Sequence, residues 1–495
     1  MSALTARLLV FCTSAAVLIL EILAGRLLAP YVGVTLETFT GIIGTVLAGI
    51  AIGAWLGGRA ADRIQPRRLL APLLVAGGVL TLAAPPIINT IGPRLEGSGP
   101  VDIVTLTVLA FFLPAAVLSA VAPVVVKIRL HTLDETGRVV GSLSAVGTTG
   151  AIVGTFLTGF VLLAAWPSRP IVLALGGALI LAGIGLGANQ YSRGALAAVA
   201  IPGVVGGLLL FAVDGPCQTE TAYFCARVEV DGQRPTGRVL ILDTLRHSYV
   251  DLEDPTYLEF RYAQIMADVM ATAAPGPIDA LFIGGGGFTL PRYIAEVRPG
   301  STSLVLELDP TLVDIARRDL GLITSDDLVA QVGDARLLLA EAPAGAYDVV
   351  VGDAFGGLSV PWHLTTREFV TEIRDRLRPD GYYMLNMIDY PPLGFARAEA
   401  ATLADVFEHV VVIAPPDYLD GSRGGNFVMV ASDAPIDAAA ITASIRQRGG
   451  TAAALGGASL AQWIEGADVL RDDLSLIHIS EPTRLNSTSR MPSSA

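Results

Sequence analysis

The first 213 residues alternate long apolar stretches with short polar ones. Runs at about 8–29, 38–57, 69–92, 101–126, 140–165, 170–189 and 195–213 each approach the ~20 residues that an α-helix needs to cross ~30 Å of hydrocarbon. Seven membrane spans are therefore expected. The first is too long and too poorly flanked for a cleaved leader. From residue 226 the period changes. Short β-type runs (Arg-Val-Glu-Val, then Arg-Val-Leu-Ile-Leu) are separated by Asp-Gly and Pro-Thr-Gly turns, and a helix is expected near 257–273. Strands then alternate with helices. Apolar strand runs fall at 280–283, 303–308, 328–332, 348–351 and 382–387, and those at 409–414 and 426–431 complete the set. Such alternation predicts an α/β domain, a mostly parallel sheet with helices on both faces.

Composition sharpens this division. The chain of 495 residues is 52% hydrophobic and only 16% charged, against roughly a quarter charged in soluble proteins. Residues 1–213 hold twelve Lys/Arg against seven Asp/Glu, whereas 214–495 hold 21 against 39. A mildly basic apolar half is thus joined to an acidic globular one. Three cysteines and five histidines are too few and too scattered for a zinc or iron–sulfur framework, so no metal is expected. The single lysine, Lys127, falls in a loop between apolar runs, which argues against Schiff-base chemistry. An acidic domain without a basic stripe argues against nucleic acid.

Basic residues in the short connections orient the apolar half. Arg59, Arg63, Arg67 and Arg68 lie in one connection, and Lys127, Arg129 and Arg138 in another. With Arg7 and Arg193 they outnumber Arg26, Arg94 and Arg169 on the opposite side. The amino terminus is then cytoplasmic, and an odd number of spans puts the acidic domain outside. A disulfide between Cys217 and Cys225 would agree with that oxidising side. Gly150-x3-Gly154 suits close helix packing. Glu21, in mid-span, fits either a structural pair or a transport or coupling role. Gly58-Arg-Ala-Ala-Asp62-Arg63 resembles the short loop motif of major-facilitator transporters, but seven spans are too few for that fold.

In open α/β sheets, ligands bind outside the carboxyl ends of the strands. The expected strand ends here carry one kind of chemistry. The first runs into Gly284-Gly285-Gly286-Gly287, where backbone without side chains lets a ligand approach. The second ends at Glu307-Leu-Asp309, with Glu307 twenty residues beyond Gly287, the spacing at which an acid reaches a ribose diol. The third ends at Gly333-Asp334 and the fourth at Gly352-Asp353. Carboxylates gathered in a pocket suit a cationic ligand.

Ile283-Gly-Gly-Gly-Gly287, Leu304-Val-Leu-Glu-Leu-Asp309, Val332-Gly-Asp334 and Tyr347-Asp-Val-Val-Val-Gly-Asp353 resemble the spermidine synthase (polyamine aminopropyltransferase) family. Upstream, Leu240-Ile-Leu-Asp243 and Tyr257-Leu-Glu259 resemble its amino-terminal hairpins and its Tyr-x-Glu helix. The resemblance covers about 226–432, and with the apolar half the chain is similar to the membrane-fused subgroup. It implies a class I methyltransferase-like (Rossmann-like) fold preceded by a small β-hairpin region and a multi-span α-helical membrane domain. It also implies no tightly bound cofactor. Decarboxylated S-adenosylmethionine would be the cosubstrate, putrescine or another diamine the acceptor, and methylthioadenosine the product. Carried over, Gly284, Gly285 and Gly286 would line the adenosyl site, Glu307 would hold the ribose and Asp334 the adenine. Asp353 would be the catalytic acid group, and His247, Tyr257 and Glu259 would face the acceptor.

Two departures stand out. The family's glycine motif usually contains an aspartate where this chain has Gly287. Its Asp-x-x-Asp loop here reads Asp353-Ala-Phe-Gly356. His363, in the loop before the next helix, could close over the pocket. The expected organisation is a membrane domain at 1–213, a linker and hairpin region at 214–256, the Rossmann-like domain at 257–432 and a helical region at 433–473. Residues 474–495 read as a translated sequencing-adapter fragment. The partners expected are a polyamine, an adenosyl nucleoside and the lipid bilayer, with self-association left open. Methyl transfer from S-adenosylmethionine, or a transporter or sensor that binds polyamine without turnover, are the alternatives.

Overall fold

The computed structural model describes residues 1–95, 99–188, 201, 205, 207, 215–272 and 275–473. They form two compact units. One is Met1–Arg227 with Leu242–Thr244, the other Val228–Ile241 with the chain from Leu245 onward.

Among the described residues, the first unit contains six helices long and apolar enough to cross a membrane. They are α1 (Ala3–Val32), α2 (Leu36–Arg63), α3 (Pro66–Arg94), α4 (Pro100–Arg129), α5 (Leu133–Ala165) and α6 (Ser168–Gly187). They coincide with the first six expected spans. The seventh, 195–213, lies outside the described residues. Helices pair as α1 with α5, α2 with α4, and α3 with α6. Small residues set these contacts. A Cβ added at Gly150 or Gly154 would come within 2.3 Å of the Phe11 carbonyl or 2.6 Å of the Ala15 carbonyl of α1, so the Gly-x3-Gly pattern lets two backbones touch. Lys127 and Asp62 lie within the last turns of α4 and α2, not in loops, and pair at 2.7 Å. The helices extend past the apolar runs because their backbone bonds are satisfied within the helix.

The opposite end of this bundle is tied differently. Cys217 and Cys225 form a disulfide. The short strands β1 (Thr219–Glu220), inside the loop it closes, and β2 (Cys225–Val230), which leaves that loop, pair antiparallel. Arg26 of α1 donates to the Thr221 carbonyl at 2.6 Å and to the Tyr223 carbonyl. Glu220 accepts from the Ser168 amide at 3.0 Å, at the start of α6. Arg26 therefore serves a structural pairing at this end.

In the second unit, β3 (Gly237–Leu242) and β4 (Leu245–Asp251) precede helix α7 (Arg261–Ala271). An eight-stranded sheet follows, built from β5 (Asp279–Ile283), β6 (Thr302–Glu307), β7 (Leu328–Val332), β8 (Tyr347–Gly352), β9 (Leu377–Asp389), β10 (His409–Ala414), β11 (Gly425–Ser432) and β12 (Ala453–Gly456). The spatial order is β12-β10-β11-β9-β8-β5-β6-β7. The strands β7, β6, β5, β8 and β9 run parallel, and β11, β10 and β12 add antiparallel. Between them lie α8 (Thr289–Val297), α9 (Pro310–Asp319), α10 (Ala335–Glu341), α11 (Arg367–Arg376) and α12 (Gly394–Val406). Leu281, Ile283, Leu385 and Met387 of the sheet pack with Phe369, Ile373 and Leu403 of α11 and α12 in one buried core. The stretch beyond 433 contributes a helix (Ala438–Gln447), the edge strand β12 and a helix (Gly457–Trp463).

Register then places the chemistry. Ile283 pairs with Leu306 on one side and with Gly352 on the other. Gly284, Glu307 and Asp353, each the next residue along, therefore leave the sheet at one level. Gly352 also pairs with Leu385, so Asn386 emerges beside Asp353.

Candidate active site

The glycine turn after β5 is shaped by its neighbours. Gly284 has φ +96°, and a Cβ there would lie 2.4 Å from the Asp353 carbonyl oxygen. Gly286 has φ +49°, and a Cβ there would meet Ser248 Oγ at 2.8 Å. Both positions require glycine for backbone conformation and for close approach. The Gly287 amide donates to Ser248 Oγ at 2.9 Å, which docks β4 against the turn. A Gly284→Ala substitution should therefore push the Asp353 turn away at a cost of ~1–3 kcal/mol. Hydrogen–deuterium exchange should report it: the Asp353 amide, now bonded to the Ile283 carbonyl at 2.9 Å, should exchange faster than in wild type. Unchanged protection would contradict this geometry.

Glu307 is 6% exposed. Its Oε2 accepts from the Gly285 amide at 2.8 Å and the Gly286 amide at 3.3 Å, and its Oε1 from the Asp309 amide at 2.9 Å. Burial raises its pKa, while these N–H groups oppose the shift. A carboxylate offers about four lone-pair sites, so one remains for an incoming hydroxyl. Asp334 caps α10, its Oδ1 accepting from the Arg336 amide at 2.9 Å. Its Oδ2 stands 3.8 Å from His363 Nε2, so the loop before α11 brings an imidazole to this carboxylate.

Asp353 lines a cavity together with His247, Glu259, Tyr262 and Gly284–Gly286. Asn386 Nδ2 donates to its Oδ1 at 2.8 Å, and Tyr262 lines the same cavity. Burial nevertheless pushes its pKa up to about 6, with Asn386 and Tyr262 working against the shift. Desolvation holds His247 at about 4, so the imidazole is neutral near pH 7 and adds no positive charge to the cavity. Its Nδ1 lies 3.3 Å from Ser248 Oγ. The site thus offers a carboxylate poised for proton transfer, a glycine turn open to a ligand, and two further carboxylates along the same sheet edge.

No family model matches the chain. A polyamine aminopropyltransferase from Vibrio vulnificus is 35% identical over 135 residues, which is 27% of this chain and 44% of that protein. A human eEF1A lysine and N-terminal methyltransferase is 26% identical over 142 residues, which is 26% of this chain and 20% of that one. A probable spermidine synthase structure from Corynebacterium glutamicum shares 29% identity, covering 53% of this chain and 98% of that one, with a TM-score of 0.49. Over these stretches the chain is similar to polyamine aminopropyltransferases (spermidine synthases). It spans about half, or less, of the length of the curated relatives it matches.

Within that family's terms, the expected residues fall into two groups. Gly284–Gly286, Asp353, His247 and Glu259 line the cavity; Glu307 bonds the glycine turn, and Asp334, beyond the end of β7, does not line it. Tyr257 does not line it. Its hydroxyl donates to Glu259 Oε2 at 2.7 Å, and its ring lies under the Arg234 guanidinium at 3.9 Å. Tyr257 and Glu259 precede α7, which begins at Arg261, so neither is helical. Sequence reasoning missed Tyr262 and Asn386. Asn386 was signalled as the one amide inside the apolar run Tyr382–Met387. Tyr262 carried no comparable signal, because a tyrosine in an amphipathic helix reads as core.

Proposed function

We propose that the α/β unit transfers an aminopropyl group from decarboxylated S-adenosylmethionine to a diamine of the putrescine class. The observation that carries this reading is Asp353. A carboxylate with a pKa near 6, held by Asn386 beside Tyr262 at the mouth of a glycine turn, suits a base acting on an amine. The amine lone pair attacks the carbon bonded to the sulfonium, and the C–S bond breaks. Its electron pair stays on sulfur to give neutral methylthioadenosine, and the amine proton passes to Asp353. Glu307 would accept from a ribose hydroxyl and Asp334 from the adenine amine, which positions the donor for in-line attack. With Gly356 at the second loop position, Glu259 is the other carboxylate on the cavity wall and would face the acceptor's distal ammonium, with His247 beside it.

The deciding experiment incubates the purified full chain with decarboxylated donor and putrescine and assays methylthioadenosine. Product above that of Asp353→Asn supports the reading, and its absence overturns it. The similarity to a methyltransferase favours a second reading, methyl transfer, which would instead yield S-adenosylhomocysteine from the carboxylated donor.

The helical unit would anchor this activity in a membrane. Its Cys217–Cys225 loop is bonded to Arg26 and Ser168, at the end opposite Arg63, Arg67, Arg68 and Lys127. The arginine-rich end would be cytoplasmic, which puts the disulfide, and the chain leaving it, on the far side. In intact cells carrying Cys12→Ser, a membrane-impermeant reductant followed by an impermeant maleimide should label Cys217 and Cys225. Labelling only after lysis would reverse the orientation.

A further inference from the structure

Asp353 is held by a chain of amides that reaches across three strands. Asn386, 2% exposed, donates from Nδ2 to Asp353 Oδ1 at 2.8 Å. Its own Oδ1 accepts from Asn426 Nδ2 at 3.0 Å. The register explains the alignment. Asn386 pairs with Val428 and Ile388 with Asn426. Residues two apart on a strand share a face, so Asn386 and Asn426 are diagonal neighbours on one face at the sheet's carboxyl edge.

An asparagine amide has two ends, and a buried one must satisfy both. Turned over, Asn386 would aim its carbonyl oxygen at the Asp353 carboxylate, oxygen against oxygen. The Asn426 N–H decides between the two rotations, because only one presents an oxygen to it. We propose that Asn426 is a positioning residue whose amide N–H fixes the rotation of Asn386, so that Asn386 in turn holds the Asp353 carboxylate with an N–H aimed at it. Asn426 does not line the cavity and acts only through Asn386. This deepens the aminopropyltransferase reading and rests on it for its kinetic readout.

The surroundings of Asp353 leave few other groups to set its charge. Tyr262 from α7 lines the cavity beside it. His247 and Tyr249 from β4 and Glu259 from the segment before α7 line the same cavity. Tyr383 of β9 lies behind Gly352, its hydroxyl 2.6 Å from where a Cβ on that glycine would sit. A hydrogen bond to the ionised form of an acid favours that form, so loosening Asn386 should make Asp353 harder to ionise.

The test compares the full-length wild type with Asn426→Ala and Asn426→Gln. In Asn426→Ala the acid limb of kcat/KM should move up by ~0.5–1 pH unit, which lowers kcat/KM at pH 6 by about two- to fivefold. Methylthioadenosine affinity should stay within about twofold, because Glu307 and Asp334 are untouched. Asn426→Gln keeps the N–H donor and should return the profile toward wild type. The carboxyl stretching band of Asp353, assigned by infrared difference against Asp353→Asn, should titrate at higher pH in Asn426→Ala than in wild type. A limb and band identical to wild type in Asn426→Ala would overturn the relay. Wild type that yields no methylthioadenosine would overturn the activity reading, and the infrared titration would still decide the relay.

Discussion

Replacing Asp353 with asparagine should lower turnover by ~10²–10⁴-fold, the range attributed to a positioned general base. A primary amine is protonated at neutral pH and carries no free lone pair. In the proposed reaction the Asp353 carboxylate takes that proton as the amine attacks. Asparagine preserves the size of the side chain and its bond to Asn386 but cannot accept a proton. Methylthioadenosine should bind Asp353→Asn within about twofold of wild type, because the proposed adenosyl contacts come from other strand ends. The pH profile has a definite sign. The raised pKa, about 6, means the base is ionised above that value and is lost by protonation below it. In wild type, kcat/KM should therefore fall about tenfold per pH unit below about 6. The limb of kcat should lie lower still, since a bound cation favours the carboxylate. A flat profile between pH 7 and pH 4.5, or an Asp353→Asn enzyme near wild-type rate, would remove Asp353 from the chemistry.

Glu307→Ala should act on binding first. The Glu307 carboxylate accepts from three backbone amides, two of them on the glycine turn. In the proposed site its removal would take away the ribose's acceptor, and it leaves buried N–H groups without partners, at ~1–3 kcal/mol for each that water cannot reach. Methylthioadenosine affinity should fall by about 100-fold or more, measured by calorimetry, and the donor KM should rise with it. Gly285 and Gly286 should also lose amide protection, because Glu307 is what their N–H groups point at. The pair of variants separates the two roles: Glu307→Ala loses the nucleoside, and Asp353→Asn keeps it and loses the rate. Tight nucleoside binding by Glu307→Ala would move the adenosyl site elsewhere.

The apolar half was legible because a long run of apolar sequence has only one cheap backbone conformation in hydrocarbon. Six runs became six helices. The ends were not legible, since hydropathy does not register a helix continuing into polar sequence, as at Asp62 and Lys127. The parallel strands were readable from apolar runs punctuated by glycine and acid, and so were Gly284, Glu307, Asp334 and Asp353. The mixed character of the sheet was not, because β11, β10 and β12 differ from the others in direction and not in pattern.

The sequence by itself determined which residue types end each strand, since turn glycines and polar acids are local choices that punctuate an apolar run. Only the tertiary structure decided which of those residues share a level and which amides face them. Ile283 must pair with both Leu306 and Gly352 before Gly284, Glu307 and Asp353 can meet. Tyr262, Asn386 and Asn426 lie 91, 33 and 73 residues from Asp353 along the chain. Contacts at such separations arise from register and packing, and no local pattern encodes them.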